Sequence, residues 1–171
     1  MNTERERQSF SAWAEMVYKP DSFDMSYLLS LVNRGDRVLD LGCSTGNLTL
    51  LFPEYGATVT GIDLSEHRLQ MARRDAELMG LSSKAHFICG DLTDPNFFKS
   101  LGHYQIVCAI RSLTCVVEPK SLANGLLSIW QRLAPDGLVY ISDFCYDPFN
   151  PAYAERYTSH GGNWRFLVQP P

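Results

Sequence analysis

A doubly wound α/β fold built on a mainly parallel sheet is what this 171-residue chain predicts, and two observations carry that expectation. The first is a series of short, strand-like apolar runs: RVLDLG (37–42), ATVTGID (57–63), AHFICGD (85–91), YQIVCAI (104–110) and GLVYISDF (137–144). The second is that segments with helical spacing separate them, and strand–helix alternation is the signature of βαβ units. Each run is nearly continuous in apolar residues, as expected for strands covered by helices on both faces.

The elements follow in order. Residues 5–33 predict one or two helices, broken at Tyr18-Lys19-Pro20-Asp21 because proline cannot continue a helix. A helix is expected from near Gly46 to Gly56. In the next, Ser65 suits an N-cap, Leu69, Ala72, Ala76 and Met79 recur at helical spacing, and Gly80 supplies the stop. Segment 95–103 has room for a turn or two. The helix before the fifth strand places Leu122, Leu126, Ile129 and Leu133 on one face, and Pro135-Asp136-Gly137 ends it. Beyond Phe144 the character changes: residues 145–171 are rich in Pro, Tyr and Trp, carry the pair Gly161-Gly162, and offer one strand-like run, NWRFLV (163–168). That segment reads as a lid over a substrate or as an incomplete C-terminus. The whole chain reads as one domain, with helices over 1–36, a core over 37–144 and the segment 145–171.

Composition narrows the function classes. Hydrophobic residues are 45% and charged residues 20%, the balance of a globular domain. No apolar run reaches the ~18 residues of a membrane span, and the charged start MNTERERQSF is unlike a secretory signal. A cytoplasmic location is expected. The net charge of −4 gives no basic footprint for nucleic acid. Cys43, Cys89, Cys108, Cys115 and Cys145 form no C-x-x-C pair, so buried thiols are expected rather than disulfides or zinc. His67, His86, His103 and His160 are scattered, and no metal site is expected; His160 is the one candidate for a substrate-side base.

The chemistry concentrates in VLDLGCSTGNLTL, residues 38–50. A strand runs straight into a turn bounded by Gly42 and Gly46, and glycines there allow a sharp turn and close approach of a ligand. A helix beginning beneath it would present unpaired N–H groups. Asp40, near the strand's end, would repel a pyrophosphate but suits an ammonium or sulfonium centre. The G-x-x-x-G spacing also departs from the G-x-G-x-x-G of dinucleotide sites. A glycine turn without a ligand, and a nicotinamide-dependent oxidoreductase, are the rival readings of this stretch alone. Asp63 ends the second run, where a carboxylate can accept both ribose hydroxyls; its rival role is to cap the next helix, which Ser65 already fits. Replacing Asp63 is therefore expected to weaken ligand binding far more than it weakens the fold.

D-L-G-C-S-T-G resembles motif I of the class I (Rossmann-like) S-adenosylmethionine-dependent methyltransferases, written D/E-x-G-x-G-x-G, with Ser44 in place of the middle glycine. The likeness runs through residues 37–144, and its first three motifs are the specific ones. It implies a strand order 3-2-1-4-5, with C-terminal strands missing relative to the family's usual sheet. It implies S-adenosylmethionine as the cofactor, held by Asp40, Gly42, Cys43, Gly46, Asp63 and Leu64. After the third run, Gly90-Asp91-Leu92 is similar to the adenine-binding step, with Asp91 accepting from the amino group and the Leu92 N–H meeting a ring nitrogen. Ile110, at the end of the fourth run, would lie beside the sulfonium, and Tyr18 would close over the methionine end. Gln105 stands where many members carry an acid, and Arg111 reads as an exposed loop residue more readily than as one that orients an acidic substrate, so no catalytic residue is assigned.

The implied reaction is methyl transfer by in-line displacement, which depends chiefly on alignment and desolvation. Without an N-P-P-Y-like tetrapeptide, a Pro-Cys nucleophile or a basic appendage, a small-molecule acceptor is favoured, with a homodimer as the admitted assembly. A protein or RNA acceptor, and a catalytically silent cofactor-binding module, remain the alternatives.

Overall fold

A computed structural model describes residues 22–116 and 118–143. Tyr18, His160, Cys145, the helix expected before Pro20 and the segment 145–171 lie outside the described residues. The first described helix is α1 (Ser22–Ser30), followed by β1 (Arg37–Leu41), a 3₁₀ helix (Thr49–Tyr55) and β2 (Thr58–Asp63). Then come α2 (Glu66–Leu78), β3 (Ala85–Cys89), α3 (Pro95–Lys99), β4 (Tyr104–Ile110), a 3₁₀ turn (Leu113–Cys115), α4 (Pro119–Trp130) and β5 (Leu133–Ser142). The strands form one sheet in the order β3-β2-β1-β4-β5, and every pairing is parallel.

Side-chain alternation along the strands divides the core into two layers. In β1, Val38 faces the layer that holds Leu28 of α1, Phe52 of the 3₁₀ helix, and Leu69, Ala72 and Ala76 of α2. Leu39 and Leu41 face the opposite layer, with Phe98 of α3 and Leu122 and Ile129 of α4. Helices on both faces explain why the central strands β1 and β4 read as unbroken apolar runs. Each fully buried side chain such as Leu39 or Phe52 contributes about 1.5–3 kcal/mol.

Three expectations are corrected. The helix placed from Gly46 begins at Thr49 and is 3₁₀ in form, because Pro53 lies inside it and its ring would clash with the carbonyl four residues back in an α-helix. Leu133 belongs to β5, paired with Tyr104, and not to the α4 face, which ends at Trp130. Pro135-Asp136-Gly137 forms an irregularity within β5, with Asp136 at φ 59, rather than a helix stop. The α2 reading holds at its start, where Ser65 Oγ accepts from Arg68 N, but Met79 is half exposed at the C-cap and outside the core. Cys43 and Cys108 are buried as expected, whereas Cys89 and Cys115 are exposed.

Candidate functional site

Strand order reverses between β1 and β4, the place where open parallel sheets bind ligands beyond the strands' C-terminal ends. Gly42 to Gly46 lies there. Its backbone alternates into the left-handed region at Gly42 (φ 74), Ser44 (φ 52) and Gly46 (φ 81). A Cβ on Gly42 would collide with Ser112 Cβ, and one on Gly46 would press on Ala72 and Phe87 at 3.1 Å. Both glycines are thus required by the fold's own packing, before any ligand is considered.

Asp40 is 4% exposed beneath this turn. Its Oδ2 accepts from Thr49 Oγ1 at 2.5 Å, and its Oδ1 accepts from the Cys108 thiol at 3.7 Å. Burial pushes its carboxyl up to about 6, against the opposing effect of those two bonds, and the Asp63 charge adds to the rise. Among the described residues Asp40 has no ion-pair partner. Burial, with Asp40 and Asp63 nearby, raises the Cys43 thiol far out of its ordinary range, and Cys108 is raised likewise. Neither is a thiolate nucleophile.

Asp63, at the tip of β2, does more than the sequence suggested. Its Oδ2 accepts from Ser44 N–H at 2.9 Å and its Oδ1 from Ser65 N–H at 2.8 Å. It therefore ties the turn to the start of α2. A carboxylate has about four lone-pair positions, so two remain for hydroxyl donors. Asp91, two residues beyond β3, is exposed; its Oδ1 accepts from both Thr93 N–H and Thr93 Oγ1 at 2.7 Å. Leu64 is exposed at the β2 tip, while Leu92 is half-buried against the layer under α4.

Of the residues expected from sequence, Asp40, Gly42, Cys43 and Ile110 line one cleft over the turn. Ser44, Thr45, Asn47 and Leu48 join them. The cleft encloses about 20 Å³, room for one small group. Gly46 sits behind it, and Asp63, Leu64, Asp91 and Leu92 lie along the adjoining strand ends, outside the cleft. A ligand using all of them would insert one end and lie along the tips of β2 and β3. The donor set fits S-adenosylmethionine: a buried carboxylate without a counter-cation, then carboxylates with acceptor positions left for hydroxyl and amino groups.

Sequence reading missed several contributors. Thr49 is a fully buried hydroxyl on Asp40, and its signal was a polar residue in the apolar stretch NLTLLF. Ser112 is 8% exposed with an unpartnered Oγ against Gly42, a contact without any local sequence signature. Arg111, half-buried with φ 53, donates its N–H to Ser142 O at 2.7 Å and is not the freely exposed loop residue expected. Gln105 Oε1 accepts from Arg37 N–H at 2.8 Å, a structural role at the β4 start.

A parallel sheet in this order, with a left-handed turn after β1 and acids at neighbouring strand ends, defines a Rossmann-like α/β protein with its site at the switch point. More narrowly, the chain belongs to the methyltransferase-domain family, whose model matches residues 38–137. It is 33% identical over 117 residues to a ubiquinone biosynthesis O-methyltransferase of Bordetella avium, covering 67% of this chain and 45% of that one. It is 32% identical over 123 residues to a carboxy-S-adenosyl-L-methionine synthase of Wolinella succinogenes, covering 68% and 47%. The chain spans about half the length of the curated relatives it matches. A SAM-dependent methyltransferase from Thiobacillus denitrificans, solved with S-adenosyl-L-homocysteine, shares the fold at TM-score 0.69 and 24% identity, covering 95% of this chain and 64% of that one.

Proposed function

We propose that this chain is the cofactor-binding core of an S-adenosylmethionine-dependent methyltransferase acting on a small molecule. The observation that carries the reading is the row Asp40, Asp63 and Asp91 at the ends of three adjacent parallel strands, around one left-handed turn. When bound, the cofactor supplies a methyl group on a sulfonium, whose sulfur keeps the electron pair as the methyl passes to the acceptor. Asp40 offers a buried negative charge that a cationic ligand group would compensate. Asp63 holds the turn and would accept from the ribose hydroxyls through its remaining lone pairs. Asp91 would hold the adenine amino group through its remaining acceptor positions, and the exposed Leu64 would lie against the base. Ile110 and the walls of the cleft would keep water from the reacting end.

Two facts support a small acceptor: several matched relatives are named ubiquinone biosynthesis O-methyltransferases, and the chain's net charge is −4. A second reading, cofactor binding without methyl transfer to an acceptor, is favoured by the likeness to a carboxy-S-adenosyl-L-methionine synthase. Incubation with methyl-labelled S-adenosylmethionine and fractionated cell extract separates them. Label in the small-molecule fraction supports the proposal. Label in protein or RNA redirects the acceptor class, and label that stays on a bound cofactor favours the second reading.

A further inference from the structure

The turn that carries this site contains a residue in the wrong conformation for its type. Ser44 lies at φ 52, a region that L side chains avoid, at the position where the resembling motif carries glycine. Such a residue persists only when its surroundings over-determine it. Two groups do so from outside the turn. Asp63, at the end of β2, accepts the Ser44 N–H at 2.9 Å, and Arg68, in the first turn of α2, donates Nη1–H to Ser44 Oγ at 3.3 Å. Arg68 is half-buried, and its own N–H caps onto Ser65 Oγ, while Ser65 N–H donates to Asp63 Oδ1. Ser44, Asp63, Ser65 and Arg68 thus form one hydrogen-bonded unit joining the turn, the β2 tip and the start of α2.

We propose that Arg68 is a positioning residue for the cofactor turn, clamping Ser44 in the left-handed conformation that glycine adopts unaided. This rests on the cofactor reading above, and it deepens that reading by naming what preorganises the turn. The serine hydroxyl is the handle and the guanidinium is the clamp. A planar guanidinium carried on the first turn of α2 can fix a direction better than a freely rotating hydroxyl can. The pair therefore offsets the conformational strain that a serine carries at this φ and a glycine would not.

A double-mutant cycle tests this, because Arg68 has other contacts and a single replacement would mix them. The variants are R68M, S44G, the double variant and R68K, each checked for a cooperative thermal transition. S-adenosylhomocysteine affinity is read by calorimetry, and exchange of the Ser44 amide is read in the ligand-free protein. R68M should bind about tenfold more weakly, the order one hydrogen bond from a charged donor carries, and should speed exchange at Ser44. R68K should recover part of both. In the S44G background R68M should change affinity little, since the handle is already gone. An equal loss in both backgrounds, or unchanged Ser44 exchange in R68M, would overturn the clamp. Should the parent fail to bind S-adenosylhomocysteine, the cofactor reading falls, and the exchange comparison of R68M with parent still decides the clamp.

Discussion

Asp40→Asn removes a charge that the fold buries with no cation beside it among the described residues. The folded carboxyl titrates at about 6 against 3.8 for the unconstrained group. That shift corresponds to about 3 kcal/mol of differential stability at 1.36 kcal/mol per pH unit. The sign follows from proton binding. Between those two values the folded state holds more protons than the unfolded one, so stability is fully present below the unfolded value and falls as pH rises through the folded value. Asparagine keeps the shape and can still pair with Thr49 Oγ1, so the variant should be more stable than the parent near neutral pH, by up to about 3 kcal/mol. The gain should shrink towards zero as pH approaches 4. Urea unfolding of both proteins across that range measures it. The same variant should lose affinity for S-adenosylmethionine, and the parent's affinity should fall about tenfold for each pH unit below 6. An Asp40→Asn variant less stable than the parent at neutral pH, or a gain independent of pH, would refute the reasoning.

Asp63→Ala should now cost stability as well as binding, because it strips the acceptor from the Ser44 and Ser65 amides; a loss of about 1–3 kcal/mol in urea unfolding is expected. Gly42→Ala should destabilise far more than Gly80→Ala. Both sit at positive φ, but only at Gly42 does the added methyl meet Ser112, whereas Gly80 has open space around it. Gly80→Ala should cost about 1 kcal/mol, and Gly42→Ala should add an overpacking penalty of about 1–3 kcal/mol, with chemical denaturation giving both.

The sheet was legible because its central strands β1 and β4 are buried on both faces and so read as unbroken apolar runs, while β3 and β5, partly exposed at the edges, still keep apolar residues along their length. The strand order came from the resemblance, and the pairings of β1 with both β2 and β4 agree with it. Boundaries were less legible where tertiary contacts overrode local signals. Pro135-Asp136-Gly137 looks like a turn, yet it is absorbed as an irregularity because β5 already pairs with β4 at Leu133. At the site, the sequence shows Asp40 near the end of the first strand, but its burial and its Thr49 partner depend on how the 3₁₀ helix folds back. The double duty of Asp63 was hidden for the same reason: its partners are amides, which every residue has, so only geometry can select Ser44 and Ser65. Ser112 and Arg68 act across the chain from Gly42 and Ser44, and no spacing rule reaches that far.

The central claim, that the row of strand-end carboxylates binds S-adenosylmethionine, is tested most directly by calorimetric titration of the parent protein with S-adenosylhomocysteine and, separately, with NAD. One S-adenosylhomocysteine per chain and no heat from NAD is the expected result, with about 2.7 kcal/mol of added stability at a hundredfold excess over the dissociation constant. A folded protein that gives no heat and no thermal shift with saturating S-adenosylhomocysteine, or that binds NAD instead, would contradict it.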